Sequence, residues 1–537
     1  MFVPSSKSLW KNCLINDLRL WSRGYFLSNS FDLFIKRLKK LNVRDDSFHD
    51  RLSELVRDLN GHFALVIEAP IGFYIVSDRV KSIPIYYTVG HEGNKVLISD
   101  NPSIFSENCD IDRNSVLEIF LAGYTVNRNT IFKSLYQTTA AECLLLSEER
   151  YKKLYYYNYF SERAIEKDLS FYQQKLTLLI DQIFKDLIKS CNHRQIVIPL
   201  SGGLDSRLVL SKLFDLGYKN IVCFSYGSKS SKDCKVSSKI ATKLGYRWIG
   251  IETSKRKHKK LFNSQLFNQF EEFSETMSSA PFYQDFYAMY YLSSNNLIDP
   301  DAIIINGNTG DFISGGHIPL EKDFGSSQKE VINQFINKHF HQWKFLVNEA
   351  STGYIQERLN DVIYDRLNFK ESENLFGLLE FLEWSTRQSK HIVNMQRSYE
   401  FFKFQWRMPL WDNRMLDFWE KVPVKFKLHK KLYISMLQKN NWGGVWEDSM
   451  IYQTESYSLP QNIVRFVFKF IFIFLGRDNW KTFDKKYLQF FQNPTHDFFM
   501  IDFVDYIKEI DNPRDARSFR INSYLAKKGL EIEDFKL

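Results

Sequence analysis

Short apolar runs parted by turn residues dominate the first third of the chain: residues 63–67 (Phe-Ala-Leu-Val-Ile), 73–76 (Phe-Tyr-Ile-Val), 85–87 (Ile-Tyr-Tyr) and 96–98 (Val-Leu-Ile). Runs of this length predict strands, with hairpins as the connections, so residues 1–164 read as a β-rich domain. The aromatic stretch 155–160 closes it, a charged helical segment over 161–190 follows, and the boundary falls near 165. Beyond it the pattern alternates. Strands are expected at 196–198, 221–225, 248–251 and 302–306, and helices at 205–215, 232–244 and between about 257 and 295. Alternation of strand and helix predicts a parallel, doubly wound sheet whose ligands sit beyond the carboxyl ends of the strands. From about 330 the pattern is mainly helical; the second domain is placed at 165–445, and 446–537 is an aromatic, basic, helical extension.

Within that extension, residues 463–475 are apolar almost all round a helix, with Phe466, Phe470 and Phe474 at helical spacing and only Arg465 and Lys469 charged. The run is too short to span a bilayer. Two readings remain open: a core or subunit-interface helix, giving a homo-oligomer, or an interfacial membrane anchor drawing on Lys481, Lys485 and Lys486. Composition changes the picture little. With 537 residues and 44% hydrophobic content the chain has room for two or three globular domains. A net charge of +9 favours anionic ligands or surfaces, but no basic tail marks a nucleic-acid binder. The six cysteines form no C-x-x-C pair and no apolar signal opens the chain, which points to reduced thiols in the cytoplasm, with the inner membrane face as the alternative.

The most informative stretch is Leu200-Ser-Gly-Gly-Leu-Asp-Ser206. It follows a strand and opens a helix; Gly202 and Gly203 let a ligand approach the backbone, and the helix start favours phosphate. A Walker loop would need Gly-Lys followed by Ser or Thr, which is absent. An ordinary tight turn is the plain alternative. The loop resembles the pyrophosphate loop of the ATP pyrophosphatase superfamily, whose members cleave ATP between the α and β phosphates. That resemblance implies ATP contacts from Leu200, Ser201, Gly202, Gly203, Asp205 and Ser206, and an adenine contact from Tyr226 at the end of the second strand.

Asn306-Gly-Asn-Thr-Gly-Asp-Phe-Ile-Ser-Gly-Gly316 resembles the Ser-Gly-Glu-Gly-x-Asp-Glu-x-x-Gly-Gly stretch of the asparagine synthetase family. The resemblance implies nucleotide contacts from Asn306 and Gly307 and a metal-binding role for Asp311. Mg²⁺ prefers hard oxygen ligands, typically one or two carboxylates with phosphate oxygens, so Asp205 and Asp311 together suit a departing pyrophosphate. Each aspartate alone would more often be a cap or turn residue. Asn308 stands where the family has a glutamate that handles the acceptor or amine, and Arg207 replaces a small hydroxyl residue, adding a positive charge beside the phosphate site. His317 follows the glycines; a lone histidine is more often structural than catalytic. Arg407-Met-Pro-Leu-Trp-Asp412 resembles the family's Arg-x-Pro-x-x-Asp, which implies that Arg407 positions an anionic substrate. Residues 422–434 resemble its lysine segment; by spacing the phosphate-contacting lysine is Lys431, with Lys430 as rival, although Ser435 replaces the usual arginine. A solvated cationic face is the plain alternative.

In the first domain, Leu59-Asn-Gly-His-Phe-Ala64, Ser77-Asp-Arg-Val-Lys-Ser-Ile-Pro-Ile-Tyr-Tyr87 and Gly123-Tyr-Thr-Val-Asn-Arg-Asn-Thr-Ile-Phe132 resemble the class-II glutaminase domain of asparagine synthetases. That family's nucleophile is a cysteine exposed by loss of the initiator methionine; here position 2 is Phe2 and the nearest thiol is Cys13, so the domain is degenerate and glutamine hydrolysis is not expected. The resemblance implies an α/β protein: a glutaminase-like β-rich sandwich, then a doubly wound ATP pyrophosphatase domain with a helical extension. It implies an ATP- and Mg²⁺-dependent amide ligase that forms an acyl-adenylate, with Lys431, Asp205 and Asp311 catalytic and Asn308 and Arg407 on the substrate. The expected partners are a small-molecule or sugar-linked carboxylate and ammonia or an amine, with a separate glutaminase as one source of it. An automatic label would be asparagine synthase (glutamine-hydrolysing). The departures fit relatives of bacterial surface-polysaccharide synthesis better, in which a sugar uronic acid is amidated. Intramolecular closure, as in β-lactam synthetases and lasso-peptide cyclases, and a silent scaffold are the alternatives.

Overall fold

A computed structural model describes residues 1–5, 10–89, 96–148, 150–161, 167–227, 231–319, 324–367, 369, 374–447, 459–472, 475–488, 490, 501–509 and 512–535. Phe474 and part of the 161–190 segment lie outside the described residues.

Among the described residues nine strands form the first region: Lys11–Ile15 (β1), Leu18–Phe26 (β2), Gly61–Ala69 (β3), Gly72–Ser77 (β4), Tyr86–Thr88 (β5), Ile98–Ser99 (β6), Leu135–Gln137 (β7), Glu142–Leu146 (β8) and Tyr151–Tyr155 (β9). They make an antiparallel sheet in the order β1-β2-β3-β4-β8-β9 and a smaller sheet β6-β5-β7. The expected hairpin is β3–β4, paired from Ala64 with Ser77 to Ala69 with Gly72. The two sheets face each other over a compact core in which Ala64 and Val66 of β3, Ile75 of β4 and Leu144 and Leu146 of β8 meet Ile85, Tyr87 and Ile98. The opposite face of β3, with Phe63, Leu65 and Ile67, joins the main core of the molecule. Burial on both faces is why residues 63–67 are apolar without alternation.

Among the described residues five parallel strands build the second region: Ile196–Pro199 (β10), Ile221–Gly227 (β11), Arg247–Glu252 (β12), Ile303–Ile305 (β13) and Gln405–Arg407 (β14). Their order is β12-β11-β10-β13-β14, every neighbouring pair parallel. The chain starts at β10, winds out to β12, then returns to the other side through β13. The reversal lies between β10 and β13, and a sheet of this kind opens its ligand crevice there, at the carboxyl ends. β14 falls in a stretch whose pattern reads as helical. Three residues carry too little periodicity to declare a strand; their pairing with β13 makes it one.

The remainder is mainly helical. Helix Lys431–Asn440 packs on Leu169–Cys191, and Leu459–Phe472 pairs with Arg477–Phe483. No described helix is long and apolar enough to cross a membrane.

Candidate active site

The first loop leaves β10 at Pro199 and is tied to itself. Ser201 N–H donates to the Ser206 hydroxyl at 3.0 Å, and Gly203 N–H to the Ser201 hydroxyl at 3.2 Å. The helix Leu204–Asp215 starts from Gly203, which has no side chain to cap it. Its first amides are therefore offered to a ligand rather than to the helix's own cap. An acidic acceptor already sits on the loop: Gly202 N–H donates to Asp233 Oδ1 at 3.1 Å.

The second loop, after β13, is pressed against the first. A Cβ on Gly307 would lie 2.5 Å from the Ser206 nitrogen and 2.6 Å from the Asp205 carbonyl carbon, and one on Gly310 would lie 2.1 Å from Asp205 Oδ1. Between them Thr309 takes φ 79°, a rare choice for a β-branched residue, strained as functional loops often are. The Asp311 amide hydrogen-bonds to the Asp205 carboxylate, and Tyr433 Oη donates to Asp205 Oδ1 at 3.0 Å. Burial pushes the Asp205 carboxyl up to about 6; Lys430 and the Tyr433 hydroxyl oppose the rise, and nearby Asp311 adds to it. Gly310→Ala must force the two loops apart. The expected result is a loss of ATP-dependent pyrophosphate release of roughly 10²-fold or more with near-normal circular dichroism, because displacement of positioned groups by about 1 Å already costs that much.

Lys430 completes the cluster. Its ammonium is ion-paired with Asp311 Oδ1. His429 and Lys430 both hold left-handed backbone angles, φ 54° and 55°, and this double turn brings the lysine back over the aspartate. A Cβ on Gly316 would meet Asp311 Oδ1 at 2.2 Å and Lys430 Cε at 2.7 Å, so this glycine makes room for the pair.

Next to this cluster lies a cavity of about 310 Å³, lined by Leu200, Ser201, Gly203, Asp205, Ser206, Tyr226, Asn306, Gly307 and Asn308. Of the residues expected to touch nucleotide, only Gly202 is not on the wall. The wall also includes Asp233, Gln284, Asp285 and Met395, none of which belongs to a recognisable motif. Asp285 is buried and accepts from Tyr226 Oη at 2.7 Å and from Tyr399 Oη. This fixes the Tyr226 ring and holds its hydroxyl proton. Asn306 is buried, with Nδ2 donating to Gln396 Oε1 at 3.2 Å and Oδ1 accepting from Asn308 N–H at 3.1 Å. The side-chain nitrogen of Asn308 is buried with no hydrogen-bond partner among the described residues, a donor available to a ligand.

Residues 190–440 match the family model of asparagine synthase.

The match covers just under half of the chain and contains both loops, both aspartates and Lys430. It supports an ATP-using ligase of the amide-forming kind. No curated protein matches. Among solved structures, the chain is similar to the NH3-dependent NAD synthetase of Campylobacter jejuni, at 13% identity over 38% of this chain and 99% of that one, with a TM-score of 0.20. It is similar to the NMN synthetase of Francisella tularensis at 15% identity, over 43% of this chain and 97% of that one, TM-score 0.20. A glutamine phosphoribosylpyrophosphate amidotransferase from B. subtilis shares 9% identity over 56% and 64% respectively, TM-score 0.18. Likenesses this distant carry no argument about this chain.

The donor set suits the expected metal. Two carboxylates meet at neighbouring strand ends, and among the described residues no group of three or more His, Cys, Asp or Glu could hold an ion. Two carboxylates with phosphate oxygens are what Mg²⁺ commonly takes, whereas an all-protein cage would need more. Asp205 and Asp311 are the residues that would hold it.

Three expectations require correction. Lys431 does not face the aspartates: it is exposed, with its ammonium 5.9 Å from the centre of the Phe426 ring. Spacing alone counts residues as if the helix were regular, and the left-handed turn at His429 and Lys430 shifts the inward position back by one. Arg407 is not on the cavity wall either. It is buried at the end of β14, donating to Ser190 Oγ at 3.2 Å and the Trp406 carbonyl at 2.8 Å, and its guanidinium lies 4.2 Å from the centre of the Tyr25 ring. Tyr25 belongs to β2, so Arg407 joins the first region to the central sheet. Arg407→Leu is thus expected to lower unfolding stability by about 2–4 kcal/mol while leaving the KM for the acceptor within about twofold; a large KM change at unchanged stability would restore the substrate role. Finally, Arg207 is fully buried and donates to the Gly202 carbonyl at 2.8 Å and the Val445 carbonyl at 3.3 Å, bracing the loop from behind instead of adding charge to the phosphate site. Burial brings its pKa down to about 10.

His317 faces inward beside Phe312, ring centres 5.0 Å apart, and neither ring nitrogen has a hydrogen-bond partner among the described residues. Phe2 bridges to Ile98 and is buried against Trp10 and Trp21, at ring distances of 5.0 and 5.3 Å. Cys13 lies within β1 opposite Leu20.

Proposed function

We propose that this protein is an ATP-dependent amide ligase that activates a carboxylate as an acyl-adenylate and transfers ammonia or an amine to it. The observation that supports this most is the meeting of Asp205, Asp311 and Lys430 beside a nucleotide-sized cavity at the switch point of a parallel sheet. A carboxylate oxygen of the acceptor forms a bond to the α phosphorus while the bond from that phosphorus to the bridging oxygen breaks, releasing pyrophosphate. The amine nitrogen then bonds to the acyl carbon, AMP leaves, and the nitrogen gives up a proton.

The first amides of the helix that starts at Leu204 hold the phosphates, and Tyr226, oriented by Asp285, borders the base. Lys430 neutralises charge that grows on the phosphate oxygens as the adenylate forms and decays. Mg²⁺, held by Asp205 and Asp311, would supply further neutralisation of the pyrophosphate.

The acceptor in this reading is a sugar uronic acid of surface-polysaccharide synthesis. Asn308, a neutral amide with an unpartnered donor on the cavity wall, suits the oxygen of a second substrate better than it suits proton removal. The amine comes from free ammonia or from a separate glutaminase.

Pyrophosphate and AMP release from Mg²⁺-ATP, measured with ammonia present and with aspartate or UDP-linked uronic acids as acceptors, tests the reading. Release that depends on one carboxylate supports it and names the acceptor. Failure to bind ATP at all would leave a scaffold.

A further inference from the structure

The helix Leu459–Phe472 turns an apolar stripe outward. Ile463, Phe466, Val467 and Phe470, at helical spacing i, i+3, i+4 and i+7, are 58, 71, 53 and 62% exposed. The inner side is satisfied by its neighbour. Phe468 and Phe472 lie 5.0 and 4.9 Å from Phe483, Phe472 lies 5.8 Å from Trp480, and Arg465 is ion-paired to Asp484 at 2.5 Å. Among the described residues the hairpin therefore packs on its inner side and leaves one face without a partner, and four large side chains on one stripe are more than scattered surface apolars. Among the described residues nothing is packed over that stripe.

The sequence around the stripe says what covers it. Residues 459–488 contain six basic residues, Arg465, Lys469, Arg477, Lys481, Lys485 and Lys486, against two acidic ones, Asp478 and Asp484. A second copy docked face to face would set this cationic segment against itself, because a two-fold interface pairs each patch with its own image. An anionic bilayer surface offers both what the stripe lacks and what the charges attract. Apolar side chains enter the acyl boundary and lysines meet acidic headgroups, the arrangement of interfacial amphipathic helices.

We propose that the 459–488 hairpin is a peripheral membrane-docking element that holds the protein on anionic lipid surfaces through Ile463, Phe466, Val467 and Phe470. The inference does not depend on the ligase reading, since the stripe lies outside the 190–440 match.

The test is co-sedimentation of the full chain with vesicles of phosphatidylcholine alone and with about 30% phosphatidylglycerol, at low and high salt, with analytical ultracentrifugation of the lipid-free protein alongside. The wild type is expected to partition to the anionic vesicles at least roughly tenfold more strongly than to neutral ones, and less at high salt. Phe466→Ser/Phe470→Ser should reduce that partitioning by roughly tenfold or more, with an unchanged thermal midpoint showing that the fold is intact. Lys485→Gln/Lys486→Gln should weaken anionic binding while leaving the apolar stripe in place. Absence of vesicle binding would overturn the proposal. So would a lipid-free dimer that the phenylalanine substitutions dissociate, which would make the stripe a subunit contact.

Discussion

Asp205→Asn is expected to abolish pyrophosphate release from Mg²⁺-ATP, a fall of roughly 10³-fold or more, because in the proposed reaction it removes an oxygen that would hold the metal and a full negative charge from the point where the two loops meet. The same change should make the ligand-free protein more stable. The folded pKa of Asp205, about 6, stands above the ordinary 3.8. The folded state thus binds the extra proton more tightly, and stability falls as pH rises from about 4 to 6 and stays lower above it. The shift corresponds to about 3 kcal/mol at most. Asparagine carries no charge, so the variant should gain part of that at pH 8 and nothing at pH 4. Urea unfolding at both pH values, beside the activity assay, checks the two halves together. A variant that is inactive and less stable at pH 8 would mean that Asp205 is a structural residue. A variant that still turns over would remove it from the site.

Lys430→Met should lower turnover roughly 10²- to 10³-fold, whereas Lys431→Met should stay within about threefold of the wild type. The contrast rests on placement. The Lys430 ammonium reaches Asp311 and acts electrostatically on Asp205, while the Lys431 ammonium lies over Phe426 in solvent. A second readout separates charge from structure. Lys430 holds the Asp205 pKa down, so its removal should move the acid limb of the kcat/KM profile, which reports the free enzyme, upward. An unchanged limb, or equal losses from the two lysine variants, would count against Lys430 as the phosphate-facing charge.

How much of this was legible without coordinates differs by element. The loop 200–206 could be read because its conformation is local: a strand, two glycines and a helix start occupy consecutive residues, and their backbone angles are restricted by the residue types themselves. The same holds for the alternation that predicted the parallel sheet, since each strand buried on both faces is apolar throughout. Asp311 was legible through the glycines around it, which are there because the first loop leaves no room for a side chain at 307 and 310.

Other features had no local signal. Asp285 is set against Tyr226 and Tyr399 by three separate parts of the chain, and nothing in its neighbours in sequence marks a carboxylate clamp. Arg407 sits in a recognisable motif, yet its direction follows from β14 joining β13 and from the Tyr25 ring laid across it. The one-residue displacement from Lys431 to Lys430 comes from two left-handed residues that are not glycine, an angle the sequence does not announce because residues of this kind rarely adopt it. The sequence by itself thus determined four of the five strands of the parallel sheet and the close meeting of the loops that follow β10 and β13, where residue type constrains the backbone directly. Only the tertiary structure decided which lysine faces Asp311, what orients Tyr226 and which side of the 459–472 helix is left bare among the described residues, because each depends on contacts between separate elements that no single stretch of sequence contains.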